Sequence, residues 1–133
     1  MTTENVLARM SWPADEDLSG DQYHIVVLDA TSGKVRRPDA ATDIPLGILQ
    51  NAPKAGEAAV VAPIGCGGIS KVVTGAAALG IGAIVGMEYI GETDAGKAIA
   101  AVATMYPVGV VVEASAAEDD LASVLLCPLT VKA

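Results

Sequence analysis

Few residues of this 133-residue chain are of the types that carry chemistry. There is one histidine, His24, and there are two cysteines, Cys66 and Cys127. A zinc site would need both thiolates, the single imidazole and a carboxylate as fourth ligand. Cys66 and His24 could in principle form a thiolate–imidazolium couple. His24, however, opens a strand, and Cys66 lies between glycines with no third group nearby to orient either. The loop Gly65-Cys66-Gly67-Gly68 has the glycine content of a phosphate cradle but neither the Walker nor the dinucleotide spacing, and Lys71 is followed by valine instead of Ser or Thr. Glu118-Asp119-Asp120 lacks the alternating ligands and glycine hinge of a calcium loop, and reads as a solvated turn. The expectation is a protein that is not an enzyme, with no catalytic residues, no metal and no cofactor.

Charge narrows the partners. Sixteen acidic residues against eight basic give a net charge of −8. Such a balance repels nucleic acid, whose affinity comes largely from Lys and Arg displacing counterions. The one dense basic spot, Lys34, Arg36 and Arg37, reads as a solvated strand edge. No basic region followed by an apolar run marks the first residues as a leader. Two cysteines are too few for a disulfide framework. Synthesis in a reducing cytoplasm with free thiols is expected, although a Cys66–Cys127 bridge is open if the two lie on neighbouring strands. The stretch from Val72 to Ile90 is nearly uncharged, but its glycines weaken it as a helix. It also lacks flanking aromatic or basic residues to orient a span. A buried strand–turn–strand or a short helix is expected there, and no membrane partner.

The elements that hold these groups are β-type. The chain contains 14 Gly, 7 Pro and no Phe, and its hydrophobic fraction of 52% is mostly Ala, Val, Leu and Ile. Small aliphatic side chains suit thin, closely packed sheets, and frequent Gly and Pro punctuate short strands. Tyr23 to Leu28 is a strand that stops at the turn Asp29-Ala30-Thr31-Ser32-Gly33-Lys34 and returns through Val35-Arg36-Arg37 as a hairpin. Pro45 to Leu49, Glu57 to Pro63 and Ile69 to Val73 are three further strands, with Pro45 at a strand start where a missing N–H is tolerated.

The second half repeats the first. Ala95-Gly96-Lys97 matches Ser32-Gly33-Lys34, and Thr104 to Val111 matches Thr42 to Leu49, at a spacing of about 62 residues, and the shared order and spacing mark a duplicated unit. Ile48 and Val110 are thereby expected to be matching core positions. Two copies fit a mainly β fold, a small β-barrel or β-sandwich of two similar β units with at most one or two short helices.

The first 22 residues look different. Acids, Pro13 and scattered apolar side chains give no period, and Ser19-Gly20-Asp21 ends the segment in a turn. It is expected to be a flexible N-terminal arm, residues 1–22, ahead of a single β domain, residues 23–133. Removal of the arm is expected to leave the fold intact. Its apolar residues Val6, Leu7, Met10, Trp12 and Leu18 are the candidate partner contacts, with Trp12 foremost because Trp is enriched where partners dock. Ala76, Ala77, Leu79 and Ile81 are the candidate subunit interface, small enough in aggregate for close approach.

Val27-Leu28-Asp29-Ala30-Thr31-Ser32-Gly33-Lys34-Val35, followed by Ala41 to Leu49 with its Leu46-Gly47-Ile48-Leu49, resembles the small head-decoration, or capsid cement, proteins of tailed phages. Pro107-Val108-Gly109-Val110-Val111 is similar to the same pattern, and the resemblance spans residues 23–131. It implies a compact β-tulip-like domain, trimeric on the shell, that binds the major capsid protein at the surface of an assembled head and clamps it. It brings no catalytic residues, and it implies a virion protein made in the host cytoplasm. Two other readings are open. One is a biotinyl- or lipoyl-type carrier domain, for which Lys97 is the candidate attachment lysine although the expected flanking Met is missing. The other is a small membrane-active protein using the stretch from Val72 to Ile90.

Overall fold

The computed structural model describes residues 4–129, and the ends of the arm and of the resembling stretch that fall beyond them lie outside the described residues. These residues form strands β1 (Asn5–Val6), β2 (Met10–Pro13), β3 (Ile25–Leu28), β4 (Val35–Arg36), β5 (Pro45–Leu49), β6 (Ala58–Pro63), β7 (Gly68–Val73), β8 (Ile84–Met87), β9 (Ala98–Ala100), β10 (Gly109–Glu113) and β11 (Leu121–Leu126). There is no helix among the described residues. The first sheet has the order β2-β6-β5-β3-β4, and the second β1-β7-β11-β10-β8-β9. Their pairings are antiparallel.

Without β1, the second sheet has the strand order of the first, strand for strand: β7 stands for β2, β8 for β3, β9 for β4, β10 for β5 and β11 for β6. The correspondence extends to individual hydrogen bonds. Ala14 N–H donates to the Glu57 carbonyl at 2.9 Å, and Thr74 N–H to that of Asp120 at 2.9 Å. Asp15 N–H donates to Val35, and Gly75 N–H to Ala98, each at 2.8 Å. Isolated parallel bridges, Ala14 with Val35 and Thr74 with Ala98, draw the two outer strands of each unit together at one end. Each unit is therefore a strongly curled sheet, and neither closes as a barrel. The fold is mainly β, built of two similar β units.

The units differ in what covers them. Val26, Leu49, Ala59 and Val61 point into the first unit and pack with Leu18, Ala14 and Val35. The opposite faces of the same strands, Ile25, Val27, Ile48 and Ala62, join Val72, Val85, Val111, Val124 and Leu126 of the second unit in one cluster. Strands β3, β5 and β6 are thus covered on both sides, which is why they read as unbroken apolar runs instead of alternating ones. In the 72–90 stretch, the chain runs from β7 through a loop into β8. No helix among the described residues is long and apolar enough to cross a membrane.

The arm is the main departure from the sequence reading. Asn5 and Val6 pair with Ile69 and Gly68 of the second sheet, and Met10 to Pro13 pair with Val61 to Ala58 of the first. One short segment therefore straps both sheets, and β2 is the opening strand of the first unit. Leu18 is fully buried, and its N–H donates to the Pro53 carbonyl at 2.9 Å. An arm without a fixed place would leave that leucine and the β6 edge facing water; pairing covers both.

Candidate functional site

The densest polar constellation lies where the two units meet. Arg37 follows β4 and reaches back to the segment after β2. Its Nη1 donates to Glu16 Oε1 at 2.6 Å and its Nη2 to the Asp17 carbonyl at 2.7 Å. Its Nε forms an ion pair with Asp21 Oδ2 at 2.6 Å. The other Asp21 oxygen lies 3.6 Å from His24 Nδ1, which is 3.1 Å from the Ala95 carbonyl oxygen of the second unit. Asp21 and His24 are both buried. Burial pushes the Asp21 carboxyl up, against the charges of Arg37 and His24. Beside this chain, Arg36 is shared by Asp29 (3.4 Å), Asp39 (3.4 Å) and Asp43 (3.3 Å). Glu16, both arginines, Tyr89, Glu92 and Ala95 are among the residues lining an open cleft of about 320 Å³.

Arg36 and Arg37 are therefore not a solvated strand edge. Their side chains are only 19% and 20% exposed and are held by carboxylates, while Lys34 is exposed. The positive charge of the cleft is neutralised in place, so it offers no strong anion site. A partly buried ion network of this kind costs desolvation, which offsets much of its attraction. It reaches the second unit through the His24–Ala95 contact.

His24 is engaged at that seam, whereas Cys66 is exposed on the turn between β6 and β7, and both cysteines are free. The structure does not bring the thiol and the imidazole into a shared buried cleft. Among the described residues no group of three or more His, Cys, Asp or Glu is arranged to hold a metal ion. The Lys97 ammonium lies 2.8 Å from Asp94 and 2.7 Å from Asp119, with its side chain only 7% exposed. Hydrogen bonds that its ammonium donates to those two carboxylates hold its pKa well above the ordinary lysine range. A lysine so enclosed and so firmly protonated is a poor nucleophile for attachment of a carrier group.

The candidate partner contacts separate into two kinds. Leu7 is 74% exposed and Met10 51% exposed, and Trp12 and Val6 are half-buried, packed on the first and second cores. Leu18 is corrected: it fills the interior of the first unit and has no surface to offer. The same holds for the candidate interface. Ala76 and Ala77 are exposed and Ile81 is 75% exposed, but Leu79 is 2% exposed. Its N–H bonds the Ser115 hydroxyl at 3.0 Å and its carbonyl accepts the Ser115 N–H at 3.1 Å. Leu79 plugs the second unit much as Leu18 plugs the first. The sequence reading overlooked the exposed apolar residues of the two units' outer surfaces, Ile44, Ile90, Tyr106, Val112 and Leu125. Val112 and Leu125 lie within strand patterns, where they look like core.

No family model matches the chain, and no curated protein matches it. A solved structure does. The chain is similar to the head fiber gp8.5 N base of bacteriophage phi29, with a TM-score of 0.61 and 15% sequence identity over 95% of this chain and 98% of that one. The likeness is one of fold. A 95% share of the chain takes in most of the first 22 residues wherever the remainder falls, in keeping with β2 as an integral strand.

Proposed function

We propose that this chain is a structural protein of a phage head, which sits on the outer surface of an assembled shell as a homotrimer and clamps neighbouring major capsid proteins. The observation that carries the reading is the shared fold: a head fiber base matches the chain almost end to end. The resemblance of residues 23–131 to capsid cement proteins, drawn from short motifs, points to the same location from a separate direction. The absence of catalytic machinery, of a cofactor and of nucleic acid or membrane partners belongs to this proposal. Exposed Leu7, at the point where the N-terminal segment crosses from one sheet to the other, is the assigned capsid contact within that segment. Multiple copies on a symmetric shell convert weak single contacts into firm attachment, because each further contact forms at high effective concentration.

Co-sedimentation tests the reading. The protein is expected to be recovered at high copy number with assembled heads of its own phage, and Leu7→Asp to lower that recovery with an unchanged melting temperature. Recovery only in the soluble fraction would overturn the proposal.

A further inference from the structure

Because the two units share one topology, each surface of one has a counterpart on the other, and the single junction between them shows what such surfaces do. On the first sheet, Ile25, Ile48 and Ala62 stand in one row across three strands. The row is fully buried because the second unit packs on it. Its counterpart on the second sheet is Ile84, Val110 and Leu125, extended by Ile69, again in one row. Leu125 is 41% exposed, and Ile69, Ile84 and Val110 are half-buried.

The other half of the junction has a counterpart too. The second unit meets the first through β7: Ser70 Oγ accepts from Gln50 Nε2 at 2.9 Å, Val73 N–H donates to the Tyr23 carbonyl at 3.0 Å, and Ser70 and Val72 are completely buried. The register places Met10 and Trp12 of β2 where β7 has Ser70 and Val72. Met10 is 51% exposed. The polar pair that joins the units inside the chain, Gln50 with Ser70, is replaced at the two free surfaces by Val112, 39% exposed, and Met10. Both members change from polar to apolar together, so the two free surfaces remain matched.

We propose that copies of this chain associate head to tail: the outer row of the second unit, with Val112, receives the β2 side of the next copy, Met10 and Trp12. The contact repeats between chains the junction that exists within each chain. It is heterologous, so it closes into a ring or runs on as a filament according to the rotation per copy. It gives a surface to the self-association in the proposed function and rests on that part alone; shell binding is scored separately.

Sedimentation velocity of the full chain, up to about 1 mM so that weak self-contacts are populated, tests it. The wild type is expected to associate with rising concentration. Leu125→Arg and Met10→Arg are each expected to be monomeric at a near-wild-type melting temperature. Mixed in equal amounts they form a heterodimer and nothing larger, since one keeps the intact β2 side and the other the intact row. Val112→Arg replaces Leu125→Arg if the latter melts early. Ile81→Arg, exposed but outside both surfaces, associates like the wild type. A wild type monomeric throughout, normal association of Leu125→Arg or of Met10→Arg alone, or a mixture of those two that stays monomeric overturns the proposal. Association without recovery on heads sinks the shell reading and leaves this one standing; recovery on heads with a monomeric wild type does the reverse.

Discussion

Gly47 and Gly109 occupy the same place in the two units, each facing the backbone of the neighbouring strand so closely that a Cβ on Gly47 would strike the Ala62 carbonyl and one on Gly109 the Leu125 carbonyl. The register agrees: Gly47 stands opposite Pro63 and Gly109 opposite Leu126. Backbone on both sides cannot yield as a flexible side chain would. Gly47→Ala and Gly109→Ala are therefore each expected to destabilise by about 1–3 kcal/mol or more, the range for forced overpacking. Gly80→Ala, where a Cβ meets nothing within 4 Å, serves as the comparison. Equal urea midpoints for all three would show that the strands do not approach so closely.

Matching positions need not have matching surroundings, and Ile48 and Val110 separate the two. They share a register position, yet Ile48 is fully buried against the second unit while Val110 lies in the half-open outer row. Ile48→Ala is expected to cost about 2–5 kcal/mol, as large-to-small changes in a core do. Val110→Ala in the monomer should cost less, because part of the lost methyl surface is already near water. Paired denaturation curves at a concentration where the chain is monomeric decide it; equal losses would mean that the outer row is covered.

That contrast marks where the sequence was legible and where it was not. The strands β3, β5, β6 and β7, the Asp29–Lys34 hairpin turn and the twofold repetition were readable, because Val- and Ile-rich runs between Gly, Pro and Asp leave little choice of local structure. Strand β2 was not. Met10-Ser11-Trp12-Pro13 is too short for its alternation to mark a strand, precedes three acids and holds to a single neighbour, β6; its identity comes from its long-range partner rather than from its own residues. The seam network was missed for the same reason. Asp21 looked like a turn charge and Arg37 like a solvated strand edge until the units docked. Leu18 and Leu79, taken for surface, are plugs whose burial depends on the curl of a whole sheet.

Acid should weaken the fold through the loops around Arg36. The Asp29 carboxylate accepts the backbone N–H groups of Ser32 at 2.8 Å and Thr31 at 3.2 Å, and the Ser32 bond is the main reason its pKa is lowered, with Arg36 adding to it. For Asp43, burial pushes upward but is outweighed by the N–H groups of Asp39 and Ala40 and by Arg36. Both carboxylates ionise more readily folded than unfolded. Their contribution is thus complete above the ordinary aspartate value of about 3.9 and is lost as pH falls through the lower folded values. Asp21, shifted the other way by burial, gains on protonation and offsets part of the slope. The Asp29→Asn, Asp43→Asn double variant is expected to be less stable than wild type at pH 7 and to lose less stability between neutral pH and strong acid. Parallel stability–pH curves for the two proteins would refute the assignment.

Removing the N-terminal segment tests its place most directly. If residues 1–22 were an appendage, their deletion would leave the melt unchanged. In the structure the deletion strips β2 from β6, exposing four strand positions from Ala58 to Val61, and removes Leu18 from the first core, where it sits at 0% exposure beside Val26, Leu49 and Val61. It also takes away Asp21 and Glu16, two of the carboxylates that hold Arg37. Loss of one fully buried leucine alone costs about 2–5 kcal/mol, a large part of the net stability of a small domain. The expected outcome is a chain without a cooperative thermal transition. A shorter deletion, residues 1–8, removes among the described residues the two-residue β1 pairing with Gly68 and Ile69, the Leu7 N–H bond to the Gly67 carbonyl and the packing of Val6, and should lower the melting temperature while keeping cooperativity. Circular dichroism melts of the two truncations distinguish strand from appendage: a sharp, wild-type-like transition after the longer deletion would mean that the first unit folds without its opening strand.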